Sequence, residues 1–303
     1  MSRRYAVLDV FTDTALAGNP LAVVFDSEGL DTERMQAIAR EFNLSETVFV
    51  TAPENPAHSA AIRIFTPGRE LPFAGHPTVG TAVVLGMERL GGNGDMDAIV
   101  VLEETVGAVR CAVSQSNGGH FAEFDLPKLP ERLAIDLDEA AIAAALGLGP
   151  HEIGFENHTI TAWSAGVPYI CVPVHGLDAV AKVSVTGEDW LALDLLGNGQ
   201  HVAPYIYCRD TVHLNSGFHA RMLAPWDGIA EDPATGSAAA AFIGAVAHFD
   251  KPRGGLHRFI VEQGLEMGRP SFIHVELDME GGAATGARIG GHAVVVARGT
   301  LEL

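Results

Sequence analysis

Gly75-His76-Pro77-Thr78-Val79-Gly80-Thr81-Ala82 and Asp232-Pro233-Ala234-Thr235-Gly236-Ser237-Ala238 read as one device written twice, each running into an apolar helix of small residues. In both, the proline fits a first helical turn, where its missing N–H costs nothing. The polar and glycine residues around it leave backbone N–H groups at the positive end of the helix dipole. Two such helix starts facing one cavity would hold an anion between them. The two copies differ by one residue in their Thr-to-Gly spacing, so the repeat is architectural rather than a strict sequence match.

Working outward from the first copy, Tyr5 to Asp9, Leu21 to Asp26, Thr47 to Ala52 and Ala60 to Thr66 are short, β-branched or aromatic runs bounded by Gly, Pro, Asn or Asp. They read as strands. Asp31 to Asn43 places Met35, Ile38, Ala39 and Phe42 at helical spacing with charges opposite, the pattern of an amphipathic surface helix. The helix from Pro77 to Leu90 is apolar on nearly every face and must therefore be wrapped. Strand-like stretches at Ala98 to Leu102, Ala108 to Ser114 and His120 to Asp125 supply the wrapping. Pro127 and Pro130 mark a linker, after which Asp136 to Leu146 starts a helix with Asp136 and Glu139 in capping-box spacing. The same order then repeats, with strands at Thr159 to Ala162, Tyr169 to Pro173 and Val202 to Arg209, and a second buried helix from Pro233. The predicted fold is α+β, with two similar lobes, each a barrel-like, mostly antiparallel sheet around a central buried helix. The lobes are 1–127 and 128–303, and the last strand is free to return to the first lobe.

The 303-residue length suits two such lobes. A formal net charge of −19, from 19 Lys+Arg against 38 Asp+Glu, and the absence of any basic run argue against nucleic acid or an anionic membrane as partner. A field of that sign also repels carboxylates at long range, so an anion site must rely on local backbone donors. The apolar run Ala238 to Ala247 is too short to span a bilayer. The N-terminal residues form no signal-peptide core, which leads to the expectation of a soluble cytoplasmic protein. Cys111, Cys171 and Cys208 are widely spaced inside strand-like segments, as buried reduced thiols would be. No metal site is indicated.

His76 at the start of a buried helix is either a capping residue or a group facing a cavity, and its twin motif favours the second. Asp232 holds the equivalent place before Pro233, where an ordinary Asp N-cap reads equally well. Glu46, at a helix-to-strand junction, either faces solvent or points inward; an inward carboxyl with a raised pKa is what proton shuttling needs. Position alone does not decide between them. Epimerases of twin-lobed design need one cysteine at each helix start, to act on opposite faces of one carbon. Here those places hold Gly75, His76, Pro233 and Ala234. The remaining chemistry is one carboxylate moving a proton between two carbons on one face.

These residues sit in motifs that closely resemble the PhzF family, the phenazine-biosynthesis-like isomerases of the diaminopimelate epimerase fold. The resemblance runs end to end. It rests on Phe11-Thr12, Gly18-Asn19-Pro20-Leu21-Ala22-Val23, Asn43-Leu44-Ser45-Glu46-Thr47 and Arg63-Ile64-Phe65-Thr66-Pro67, then Glu70-Leu71-Pro72-Phe73-Ala74-Gly75-His76-Pro77. It continues through Glu231-Asp232-Pro233-Ala234-Thr235-Gly236-Ser237-Ala238, Glu262-Gln263-Gly264 and Gly268-Arg269-Pro270-Ser271. The resemblance implies an active site in the cleft between lobes, a homodimer, and no metal or organic cofactor. It implies a substrate like trans-2,3-dihydro-3-hydroxyanthranilate, a small cyclic or unsaturated carboxylic acid. By motif matching, Glu46 is the general acid/base, and His76 and Asp232 contact the substrate's polar groups. Gly75, Gly236 and Ser237 cradle its carboxylate. The alternatives are an amino-acid epimerase on the same fold and a non-catalytic member that binds a metabolite or a protein.

Overall fold

The computed structural model describes residues 2–90, 96–116, 119–227 and 229–303. The chain divides into two units, Met1–Asp125 with Gly290–Leu303, and Leu126–Ile289. The first contains β1 (Ser2–Val10), β2 (Asn19–Val24), α1 (Thr32–Phe42), β3 (Glu46–Thr51), β4 (Ala60–Phe65) and β5 (Glu70–Leu71). The helix α2 (Gly75–Leu90) follows, then β6 (Met96–Glu104), β7 (Gly107–Ser116) and β8 (Gly119–Asp125). The second unit begins with β9 (Glu131–Leu133), α3 (Glu139–Ala145), β10 (Thr161–Ser164), β11 (Pro168–Pro173), α4 (Leu177–Lys182) and α5 (Gly187–Leu191). It continues with β12 (Ala203–Cys208), β13 (Phe218–Ala224), β14 (Ile229–Asp232), α6 (Gly236–Asp250), β15 (Gly255–Gln263) and β16 (Ser271–Glu280). The last strand, β17 (Ala283–Glu302), starts in the second unit and its residues from Gly290 belong to the first.

Pairing closes the first unit on itself. From β1 the ladder passes antiparallel to β2, parallel to β3, antiparallel to β4 and parallel to β6. It goes on antiparallel through β7 and β8, and β17 pairs with both β8 and β1. The helix α2 lies inside, and every residue from Gly75 to Val84 is buried. Parallel neighbours need a crossover connection, and α1 supplies the one between β2 and β3. Asp31 caps its start by accepting from Arg34 N at 2.8 Å, and Asn43 ends it in the left-handed region at φ 50°. Met35, Ile38 and Ala39 pack inward with Phe49 and Phe65. Glu46 is the first residue of β3, three beyond that Asn43 stop.

The second unit repeats the plan. β11 pairs parallel with β12, β12 antiparallel with β13, β13 parallel with β15, and β15 antiparallel with β16. Its central helix is buried from Ala238 to Val246, with Phe242 against the rings of Tyr207 and Phe218 at 4.6 and 4.9 Å. A bidentate Arg–Glu pair recurs as well. Arg63 on β4 grips Glu70 on β5 at 2.7 and 2.6 Å, and Arg221 on β13 grips Glu231 on β14 at 2.8 Å twice. Arg63 and Glu70, just upstream of His76, are thus a strand brace.

Three local expectations are corrected. The cap of α3 is Asp138, which accepts from Ala141 N at 3.0 Å, so Asp136 lies outside the helix. The segment after Pro130 is a short strand, β9, pairing with β10. The second buried helix starts at Gly236 with Thr235 as its N-cap, so Pro233 sits in the turn before it. Pro77, by contrast, does lie in the first turn of α2.

The packing of α6 is close enough to test. A Cβ at Gly244 would come 2.2 Å from Trp163 Cε3, whereas one at Gly68 meets an ordinary contact at 3.8 Å. Gly244→Val is expected to cost about 1–3 kcal/mol or more in urea unfolding from overpacking. Gly68→Ala is expected to stay within about 0.5 kcal/mol. Equal midpoints for the two variants would contradict this packing.

Candidate active site

In the first unit the structure brings Glu46 and His76 together. Glu46 starts β3 opposite Leu21 of β2, and His76 is the second residue of α2. His76 Nε2 lies 3.3 Å from Glu46 Oε2, with side-chain exposures of only 4% and 12%. The inward reading of Glu46 therefore holds. Burial lowers the His76 pKa to about 3, so the imidazole is neutral and the contact is not an ion pair. Its other nitrogen, Nδ1, is 3.3 Å from Asn19 Nδ2. With that amide donating, Nδ1 accepts and the ring proton sits on Nε2, facing the carboxyl.

The backbone of this turn is fixed by Thr78, whose N–H and hydroxyl both reach Ala74 O, at 3.2 and 2.8 Å. The amides of Gly75 and His76 have no helix-internal acceptor, as for any first turn. Gly18 is needed to bring Asn19 into place. At φ +65°, its Cβ would lie 2.4 Å from Val10 O.

In the second unit lie Asp232, Gly236 and Ser237. Asp232 is buried at the end of β14 and accepts the Thr235 hydroxyl at 2.5 Å. It stands four residues ahead of Gly236, while His76 lies within its helix, so the equivalence of His76 and Asp232 is only approximate. Ser237 Oγ, on the half-buried first turn of α6, is 2.8 Å from the Tyr169 hydroxyl. Tyr205, fully buried beside this turn, keeps its hydroxyl protonated well above the usual range, because of burial first and then Cys171, Tyr169 and Asp232.

Gln263, the last residue of β15, holds the turn shut. Its Nε2 donates to Asp232 O at 2.8 Å and to Thr235 Oγ1 at 3.0 Å, and its Oε1 accepts from Thr235 N at 3.3 Å. The next residue, Gly264 at φ +77°, passes so close to Pro233 that a Cβ would be 2.6 Å from its carbonyl oxygen. Glu262 before it accepts from the amides of Val212 and His213 and from buried His219. Burial opposes the charge on His219, but hydrogen bonds from it to Glu262 and Glu266 raise its pKa to about 9.

Asn19, Tyr169, Thr235 and Gln263 carry this geometry without having been assigned roles from sequence. Three of them, Asn19, Thr235 and Gln263, stood inside quoted motifs, and Asn19 and Gln263 adjoin glycines that a tight approach requires. Trp163 and Trp226, by contrast, pack into the second unit's interior, Trp163 against Gly244. Cys111, Cys171 and Cys208 are buried and unbridged, and burial pushes each thiol upward. Among the described residues, no group of three or more His, Cys, Asp or Glu is arranged to hold a metal ion. No helix among them is long and apolar enough to cross a membrane.

A family model described as phenazine biosynthesis-like protein matches residues 8–299. The chain belongs to this family. It is 58% identical over 301 residues, covering 99% of both chains, to an uncharacterized isomerase of Mesorhizobium japonicum. It is 35% identical over 310 residues, again covering 99% of both, to trans-2,3-dihydro-3-hydroxyanthranilate isomerase of Pseudomonas aeruginosa. A PhzF family phenazine biosynthesis protein of Bacillus anthracis has the same fold, with a TM-score of 0.88, 25% identity and full coverage of both chains. As a phenazine biosynthesis-like protein with these relatives, the chain is an isomerase.

The clamp formed by Gln263 is expected to matter for the second helix start. Gln263→Leu leaves Asp232 O and Thr235 without their buried partner, at a cost of about 1–3 kcal/mol in thermal or urea unfolding. A variant as stable as the parent would contradict the role given to that amide.

Proposed function

We propose that the protein moves a proton between two carbons of a small cyclic or unsaturated carboxylic acid, with Glu46 as the single acid/base. The observation that carries this reading is the 3.3 Å approach of His76 to Glu46 at the start of the first buried helix. A neutral imidazole with its Nε2 3.3 Å away lines the carboxyl group without adding a positive charge beside it. One positioned carboxyl can then accept a proton from one carbon and return it to another on the same face. By motif matching alone, we assign contact with the substrate's polar groups to Asp232 and carboxylate binding to the helix-start residues Gly75, Gly236 and Ser237. The Ser237 hydroxyl, tied to Tyr169, adds a further donor.

The relative in Pseudomonas aeruginosa acts on trans-2,3-dihydro-3-hydroxyanthranilate, and we take that compound as the first substrate to assay. A two-cysteine epimerase is disfavoured, because all three thiols are buried and none is at a helix start. Glu46→Gln keeps the shape of the side chain and removes its proton chemistry. It is expected to lower kcat about 10²- to 10⁴-fold, with ligand affinity little changed. Following deuterium uptake from D2O by NMR measures this directly. Parent-like exchange in the variant would remove Glu46 from the mechanism.

A further inference from the structure

The two units buttress their helix starts with different residues in the same place. In each, the first strand after the central helix ends at the buttress: Glu104 closes β6 and Gln263 closes β15. Each reaches a threonine at the helix start. Gln263 Nε2 donates to Thr235 Oγ1 at 3.0 Å, while the Thr235 hydroxyl proton goes to Asp232. Glu104 Oε1 is 2.8 Å from Thr78 Oγ1, and that same hydroxyl is 2.8 Å from Ala74 O. A carbonyl oxygen can only accept, and a threonine hydroxyl carries one proton. If that proton serves Ala74, the bond to Glu104 needs a proton from the carboxyl.

The surroundings agree with this count. Glu104 is 8% exposed, and its Oε2 has no hydrogen-bond partner among the described residues. A bare carboxylate oxygen in such a place is far more costly than a carbonyl oxygen of the neutral acid. Among the described residues, no cation is recorded acting on it. The titratable group facing Glu104 is the Cys111 thiol on β7, itself pushed above its usual value by burial and by Glu104. Glu103, next along β6, points to the other face of the sheet and accepts from His58 and the amides of Glu54 and Asn55. His76, two residues before Thr78, is turned to Glu46.

We propose that Glu104 is held as an uncharged carboxylic acid, the counterpart of Gln263, and that it positions His76 by fixing the Ala74–Thr78 turn through a donated hydrogen bond. Burial raises the Glu104 pKa to about 8. The sign follows from linkage. A carboxyl whose folded pKa lies above its unfolded value binds more protons in the folded state. Its contribution to stability is complete below the unfolded value of 4.5 and is lost as pH rises through 8.

Infrared difference spectra of the full chain, parent minus Glu104→Gln, test the protonation without any substrate. The expected result is a carboxylic acid carbonyl band at neutral pH that bleaches as pH passes 8. The amide should also flatten the fall in melting temperature between about pH 4.5 and 8 and keep neutral-pH turnover. Glu104→Leu, which cannot donate, is expected to lower kcat by up to about 100-fold through misplacement of His76. Carboxylate bands alone at neutral pH, or a Glu104→Gln protein whose melting curve falls with pH as the parent's does, would overturn the proposal. Full turnover in Glu104→Leu would overturn the positioning role, and if that variant does not fold, the loss or retention of turnover in Glu104→Gln decides it. The turnover arm rests on the Glu46 reading and the infrared arm does not, so failure of one is distinguishable from failure of the other.

Discussion

A helix buried along its length must have its first turn satisfied by groups brought from elsewhere, and this requirement shapes both units. The surrounding strands supply those groups at their ends. Gln263 and Glu104 close the first strands after α6 and α2, and Asn19 and Glu46 open β2 and β3. Each of these ends lies where a strand leaves the ladder and its side chain can turn to a helix start. The glycines beside them, Gly18 and Gly264, hold positive φ where any Cβ would strike backbone. In each unit, side chains from these strand ends therefore converge on the helix start.

The units share a plan but not a chemistry. Both carry the Arg–Glu brace, the crossover, the buried helix and the threonine at its start. Only the first opens its central parallel strand with an acid: Glu46 begins β3, whereas β12 begins with Ala203. The second contributes hydroxyls and amides around Asp232. One carboxyl beside a neutral imidazole in the first unit, with no acid at the matching strand start of the second, is the asymmetry on which the proposed proton shift rests.

Much of the fold was legible because local signals agreed. Asp31 and Asn43 bracket α1 by cap chemistry alone, and the alanine-rich run after Gly236 has no polar face to leave exposed. The two helix starts were legible as special but not in detail. An Asp-Pro pair before small residues reads locally as an N-cap with proline in the first turn, whereas in the structure Asp232 and Thr235 are bonded to Gln263 and the helix starts at Gly236. Asn19 and Gln263 were hidden because their partners are 57 and up to 31 residues away in sequence. Glu104 was hidden for another reason. A glutamate at a strand end reads as solvent-facing, and only tertiary packing encloses it.

The account turns on the protonation of His76. Nitrogen-15 NMR of the full chain, labelled at histidine and assigned with His76→Gln, reports whether each ring nitrogen is protonated. The expected result is a neutral ring with its proton on Nε2 that resists protonation until about pH 3. An imidazolium at neutral pH, or titration near the ordinary histidine value of about 6.5, would contradict it.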